Sequence, residues 1–129
     1  MIVCRNKLFS LKEVVPFSQE IIDEFKGPGN MLRHCRWGKG MDGYALMDGG
    51  SKLAGYVVWS TQDKEIKGLE VIRDYRKQGL GEELLSLAEQ MGITSLTVNK
   101  SNKPAIALYK KYGYIPTRMS GAMIWMKKL

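Results

Sequence analysis

With 129 residues and 14.6 kDa, the chain is the size of one domain with its own core, and two domains are excluded. Hydrophobic residues at 44% and charged residues at 26% exclude a disordered, fibrous or disulfide-built chain. The net charge of +7 points to an anionic partner, and ten basic against five acidic side chains in residues 69–129 direct that partner to the C-terminal half.

Cys4 and Cys35 lie far apart beside a single histidine, His34, so neither a zinc site nor a disulfide framework is expected. No run approaches the roughly 18 apolar residues of a membrane span, and the charged opening Met1–Lys7 lacks a signal peptide's apolar core. A cytoplasmic protein with reduced thiols is expected, organised as one domain over residues 1–129.

In chain order, Ile2–Cys4 reads as a short strand. Phe17, Ile21, Ile22 and Phe25 recur at helical spacing, and Gly27-Pro28-Gly29 stops that helix. Residues 30–42 show neither period and read as a loop. Tyr44–Met47 and Leu53–Ser60 form a hairpin around Asp48-Gly49-Gly50-Ser51. Glu65–Arg73 continues that sheet, with Gly68, Glu70 and Ile72 on one face and Leu69 and Val71 on the other.

Leu80, Leu84, Leu87, Ala88 and Met91 then mark an amphipathic helix ended by Gly92. Ser95–Val98 is a strand, and a second helix opens near Asn102 with Pro104 in its first turn and Gly113 past its end. Tyr114–Arg118 and Ala122–Met126 form a last hairpin around Ser120-Gly121. The order strand, helix, three strands, helix, strand, helix, two strands gives an α/β fold with a mixed sheet covered by helices.

Between a strand and the clearest helix lies Arg76-Lys77-Gln78-Gly79-Leu80-Gly81. Helix N-terminal N–H groups point outward unpaired there, and the dipole with Arg76 and Lys77 adds positive potential, so the turn suits an anion such as a phosphate. A dinucleotide fingerprint is excluded because Leu84 stands where it needs a small residue. A P-loop is excluded because Gly38-Lys39 is followed by Gly40. The bland alternative is a tight turn with solvated basic side chains.

Arg76, Gly79 and Gly81 follow the pattern Arg/Gln-x-x-Gly-x-Gly/Ala. About twenty residues on, Asn102, Ala105, Leu108, Tyr109, Gly113 and Tyr114 follow Asn-x-x-Ala-x-x-Leu-Tyr-x-x-x-Gly-Phe/Tyr. In these two motifs the chain resembles the GCN5-related N-acetyltransferases over about residues 43–129. The resemblance implies a mixed, mostly antiparallel central sheet flanked by helices, with splayed central strands. It also implies acetyl-CoA as acyl donor and a primary amine as acceptor. One departure lies upstream: the family usually places two helices between its first two strands, and this chain has room for one helix and an irregular loop.

Carried over residue by residue, Val71, Ile72 and Arg73 would contact the pantetheine arm through the main chain. The N–H groups of Arg76, Lys77, Gln78, Gly79, Leu80 and Gly81 would hold the pyrophosphate, and Asn102 would join the cofactor contacts. Tyr109, otherwise a core aromatic on its helix stripe, takes the position of the general acid that protonates the departing thiolate. Glu70 either takes the amine proton, directly or through water, or pairs with a lysine; His34 is the other candidate base. A strand N–H near Val71 would steady the oxyanion, and no nucleophile arrangement includes Cys4 or Cys35.

A primary α-amine or protein amine is preferred as acceptor, because the basic balance repels polycations. Two other classes stay open: a basic nucleic-acid-binding module using Trp37, Tyr44 and Trp59 for stacking, and a non-catalytic acyl-CoA-binding domain. Oligomeric state, monomer or homodimer, is likewise open.

Overall fold

The computed structural model describes residues 2–4, 12–49 and 51–129. Thirteen segments follow in order: β1 (Ile2–Cys4), β2 (Lys12–Pro16), α1 (Gln19–Phe25), a 3-10 turn (Leu32–His34), β3 (Met41–Asp48), β4 (Lys52–Ser60), β5 (Glu65–Val71), a second 3-10 turn (Arg73–Tyr75), α2 (Leu80–Gln90), β6 (Ser95–Asn99), α3 (Lys103–Lys111), β7 (Tyr114–Ser120) and β8 (Met123–Lys128). They form one sheet in the order β1-β2-β3-β4-β5-β6-β8-β7. Every neighbouring pair is antiparallel except β5 and β6, which run parallel because α2 crosses over between them.

Two apolar layers cover the sheet. On one face Leu80, Leu84, Leu87 and Ala88 of α2 pack with Val57, Trp59, Ile66, Leu96 and Met126, and Tyr109 of α3 joins them. On the other, Phe17, Ile21, Ile22 and Leu32 pack with Ala45, Met47, Tyr56 and Val58. Strand β4 feeds both layers, which explains its unbroken apolar run Leu53–Trp59. Among the described residues no helix is long and apolar enough to cross a membrane.

Several boundaries differ from the sequence reading. Lys12–Pro16 is a strand, paired through Val14 with Leu46 of β3, so the chain opens with two strands before its first helix. Alternation there is only five residues long and ends in a proline, too short to separate from loop. Within 30–42 lie a 3-10 turn and the start of β3 at Met41, whose pairing with Ser60 comes from the partner strand and not from local propensity. Phe17 precedes α1 and packs in the same cluster as Ile22, a staple across the Ser18 N-cap. Met91 sits at the C-cap of α2, half-exposed, and β5 ends at Val71, leaving Arg73 in a 3-10 turn. Gly50 of the first hairpin and the Cys4 side chain lie outside the described residues.

Candidate active site

Strands β5 and β6 pair only at Glu65–Ser95 and Ile66–Leu96. Beyond that point they separate, and residues 67–71 of β5 have no partner on the β6 side. A polar knot closes the root of this gap: the Glu65 carboxylate accepts from the Thr97 hydroxyl of β6 at 3.0 Å and from Lys67 Nζ at 2.9 Å. Hydrogen bonds to two groups raise the Lys67 ammonium above its ordinary pKa against the opposing cost of burial, which is the largest single influence.

Backbone polarity along β5 follows from its pairing. The Ile72 N–H donates to the Ala54 carbonyl at 2.8 Å, so Glu70 and Ile72 turn their main-chain groups toward β4. By alternation, the main-chain groups of Leu69 and Val71 face the gap. Arg76 Nε bonds the Val71 carbonyl at 3.0 Å, which leaves the Val71 N–H facing the opening. The Ile72 carbonyl in turn accepts from the Tyr75 N–H at 2.8 Å, so both main-chain groups of Ile72 are engaged within the protein and the main-chain cofactor contact expected of it is not open.

Arg73, Arg76 and Lys77 are exposed at this end of β5. Lys77 (φ 63) and Gly79 (φ 81) both take left-handed backbone, and Gly79 is the N-cap of α2. No side chain caps that helix, so the N–H groups of its first turn open outward together with its dipole. A Cβ on Gly79 would meet nothing within 4 Å, which leaves the space over the turn clear. Gly81 has a packing role beside the one expected of its N–H: a Cβ there would stand 3.0 Å from Leu108 Cδ2, so its smallness lets α3 pack on α2. The two sequence motifs thus touch each other. Leu80 is buried in the core, and Gln78 is half-buried.

Asn102 is the N-cap of α3, its side-chain oxygen accepting from the Ala105 N–H at 3.3 Å, so this side chain holds the start of the helix. Tyr109 is 4% exposed, its ring 6.0 Å from that of Tyr114, and burial pushes its phenol up to about 12. Tyr114 is raised further, by burial first and then by Glu89, whose carboxylate accepts from its hydroxyl.

Glu70 points to the opposite face, toward α1. Its Oε1 accepts from the Tyr56 hydroxyl and from the Met31 N–H, each at 3.0 Å. Of the two alternatives for Glu70, the lysine pair gives way to these two donors. Burial, with Glu70 beside it, raises the Cys35 thiol to about 11, and burial together with Glu70 raises Tyr56. His34 lies exposed on the 3-10 turn. Tyr56 and Met31 were not among the sequence candidates; the register Tyr56–Glu70 across β4 and β5 brings them in, and pairing register is not a local property.

Of the aromatics of the nucleic-acid reading, one is buried and the other two are half-buried against ring neighbours. Trp59 is 2% exposed, Tyr44 packs on it at 5.8 Å, and Trp37 packs edge-on against Phe17 at 4.8 Å. Two surface cavities, of about 300 and 270 Å³, lie between β2 and α1 and beside residues 36–41; neither is lined by a residue of the β5–β6 gap.

Residues 12–114 match the model of the acetyltransferase (GNAT) family. The chain belongs to this family. GNAT members transfer an acetyl group from acetyl-CoA to an amine, and the splayed β5–β6 gap beside an uncapped helix is the architecture this chain shares with them. The chain is 26% identical over 125 residues to the N-terminal acetyltransferase B complex catalytic subunit NAA20 of Arabidopsis thaliana, covering 83% of this chain and 70% of that protein. It is 36% identical over 81 residues to a putative [ribosomal protein bS18]-alanine N-acetyltransferase of Bacillus subtilis (strain 168), covering 57% of this chain and 54% of that one. The second alignment thus spans about half the relative's length. The fold is similar to the crystal structure of the ribosomal-protein-S18-alanine N-acetyltransferase of Escherichia coli, with a TM-score of 0.63 at 21% identity, over 91% of this chain and 92% of that one.

Proposed function

We propose that residues 1–129 form a single acetyl-CoA-dependent N-acetyltransferase domain acting on the α-amine of a polypeptide in the cytosol. The observation that carries this reading is the gap between β5 and β6, whose root is closed at Glu65–Thr97 and whose mouth opens beside the uncapped N-terminus of α2. The donor supplies a thioester acyl group, and the chain's own groups do the rest. The first-turn N–H groups of α2 and the Arg76–Gly81 turn hold the pyrophosphate, with Arg73 and Lys77 adding charge. The Val71 N–H, free on the gap side, steadies charge on the acyl oxygen. A neutral amine forms the C–N bond, the C–S bond breaks, and the amine's proton leaves to solvent.

Tyr109 is the group proposed at the sulfur. A phenol at about 12 is fully protonated near neutrality, so a donor is always present. Complete transfer to a thiolate whose acid lies near 8.5 is uphill by roughly 3 to 4 pK units, so the hydrogen bond, more than the transferred proton, stabilises the leaving sulfur. An α-amine fits this equipment. With a pKa of about 7.7 it reaches its neutral form near pH 7 without a strong base, whereas lysine at about 10.4 must give up roughly three units. Both curated relatives are named for acetylation at protein N-termini or at a ribosomal-protein alanine, which supports the same acceptor class.

The test compares kcat/KM for a neutral peptide with a free N-terminus, an N-terminally blocked lysine peptide and spermidine at equal salt. The α-amine peptide is expected to lead by about tenfold or more. A lead for spermidine or for the blocked peptide refutes the acceptor assignment, and no turnover on any of them with intact CoA binding favours a non-catalytic acyl-CoA-binding domain.

A further inference from the structure

We infer that Glu70 is a positioning residue: it ties the segment 31–37 to β5 and so sets the wall along which the acceptor approaches the gap. The inference rests on the reading that acyl transfer takes place at the β5–β6 gap. Glu70 lies on the strand that borders that gap, but on the face away from α2, where the cofactor turn is. Its Oε1 already receives two hydrogen bonds, from Tyr56 Oη and from the Met31 N–H, 39 residues earlier in the chain. Two donors fill the two lone pairs of that oxygen. The carboxylate is thereby anchored through Oε1, as a structural acceptor is.

What the tie holds is a segment with little regular structure of its own. Met31 opens the 3-10 turn, its carbonyl accepting from the His34 N–H at 3.0 Å. Asn30 hooks the segment back to α1, donating to the Phe25 carbonyl at 2.9 Å while its side-chain oxygen accepts from the Leu32 N–H. Leu32 is fully buried, and Trp37 closes on Phe17, which in turn packs on Tyr56 at 5.4 Å. These contacts fix the segment to α1 and to the core. The Met31–Glu70 bond fixes it to the strand where the chemistry is placed, and Met31 itself stays 58% exposed at that spot. Without the tie the turn keeps its core contacts but loses its distance from β5.

The experiment uses two variants of the full chain. Glu70→Gln keeps an oxygen able to accept from both donors, and Glu70→Ala removes it. Amide hydrogen exchange, read at Met31, is expected to rise by about tenfold or more in Glu70→Ala and to stay within about threefold of wild type in Glu70→Gln. In steady state, Glu70→Ala should raise acceptor KM by about tenfold with kcat and the acetyl-CoA KM within about threefold, and Glu70→Gln should restore KM. The pH profile of kcat should be unmoved in both. A fall in kcat of about a hundredfold in Glu70→Gln, with an altered pH profile, makes Glu70 the base and overturns the inference. Unchanged Met31 exchange in Glu70→Ala also overturns it. Absence of turnover in the wild type on every amine overturns the transferase reading alone, because the exchange comparison decides the tie without activity.

Discussion

Gly79 and Gly92 offer a matched pair of perturbations, one at each end of α2. Both take left-handed backbone, at φ 81 and φ 80, and a Cβ on either would meet nothing within 4 Å. Alanine at each position pays the left-handed penalty of about 1–2 kcal/mol, offset in part by about 0.4–1 kcal/mol from the restricted unfolded chain, a net loss of about 1 kcal/mol. At about 2.1 cal/mol/K per residue, the unfolding entropy of 129 residues is about 0.27 kcal/mol/K, so each variant should melt about 4 °C lower. Without ligand the two should be alike. With CoA at a hundred times the wild-type dissociation constant, the wild type gains about 2.7 kcal/mol, a shift of about 10 °C. Gly92→Ala, at the far end of the helix, should keep that shift in full. Gly79→Ala puts a methyl group in the clear space over the turn; a tenfold weaker affinity cuts its shift to about 5 °C at the same CoA concentration. Differential scanning calorimetry of the three proteins, with and without CoA, reads all of this. Equal CoA shifts in both variants refute the assignment of the pyrophosphate to the Gly79 turn, and no shift in the wild type refutes the cradle altogether.

Removing the Tyr109 hydroxyl should separate catalysis from binding: Tyr109→Phe is expected to lower kcat by about 10² with CoA affinity nearly intact, and wild-type turnover in that variant returns Tyr109 to a packing role. The same side chain predicts a pH effect. Its folded pKa of about 12 lies above the unfolded value of about 10, so the stability it contributes is whole below pH 10 and is lost as pH rises toward 12. Urea melts of Tyr109→Phe should therefore fall less steeply over that interval than those of the wild type; parallel curves contradict the buried-phenol account. Gly55→Ala should be more damaging than either change at the ends of α2, because its Cβ would stand 2.8 Å from the Glu70 carbonyl oxygen and 3.1 Å from Leu84 Cδ1, forcing β4 and β5 apart. A loss of about 3 kcal/mol or more is expected from chemical denaturation, and a loss below about 1 kcal/mol means the strands yield easily.

The local signals in the chain were enough to set out most of its elements and the turn at residues 76–81. The leucine stripe of α2, the Asn102 cap with Pro104 behind it and the glycine past each helix are written in neighbouring residues, and so is the pattern from Arg76 to Gly81. Those features depend on contacts a few residues apart, which sequence spacing encodes directly. The splay of β5 from β6 does not: it entered the sequence reading through the resemblance to a family, and its root at Glu65, Lys67 and Thr97 joins residues about thirty positions apart. Long-range pairing likewise made a strand of Lys12–Pro16, extended β3 back to Met41 and turned Glu70 toward Tyr56 and Met31. The smallness of Gly81 belongs to Leu108 of α3, although in sequence it reads as part of the phosphate turn. Register and helix packing are set by which apolar faces can be buried together, a property of the whole chain that no short window of residues contains.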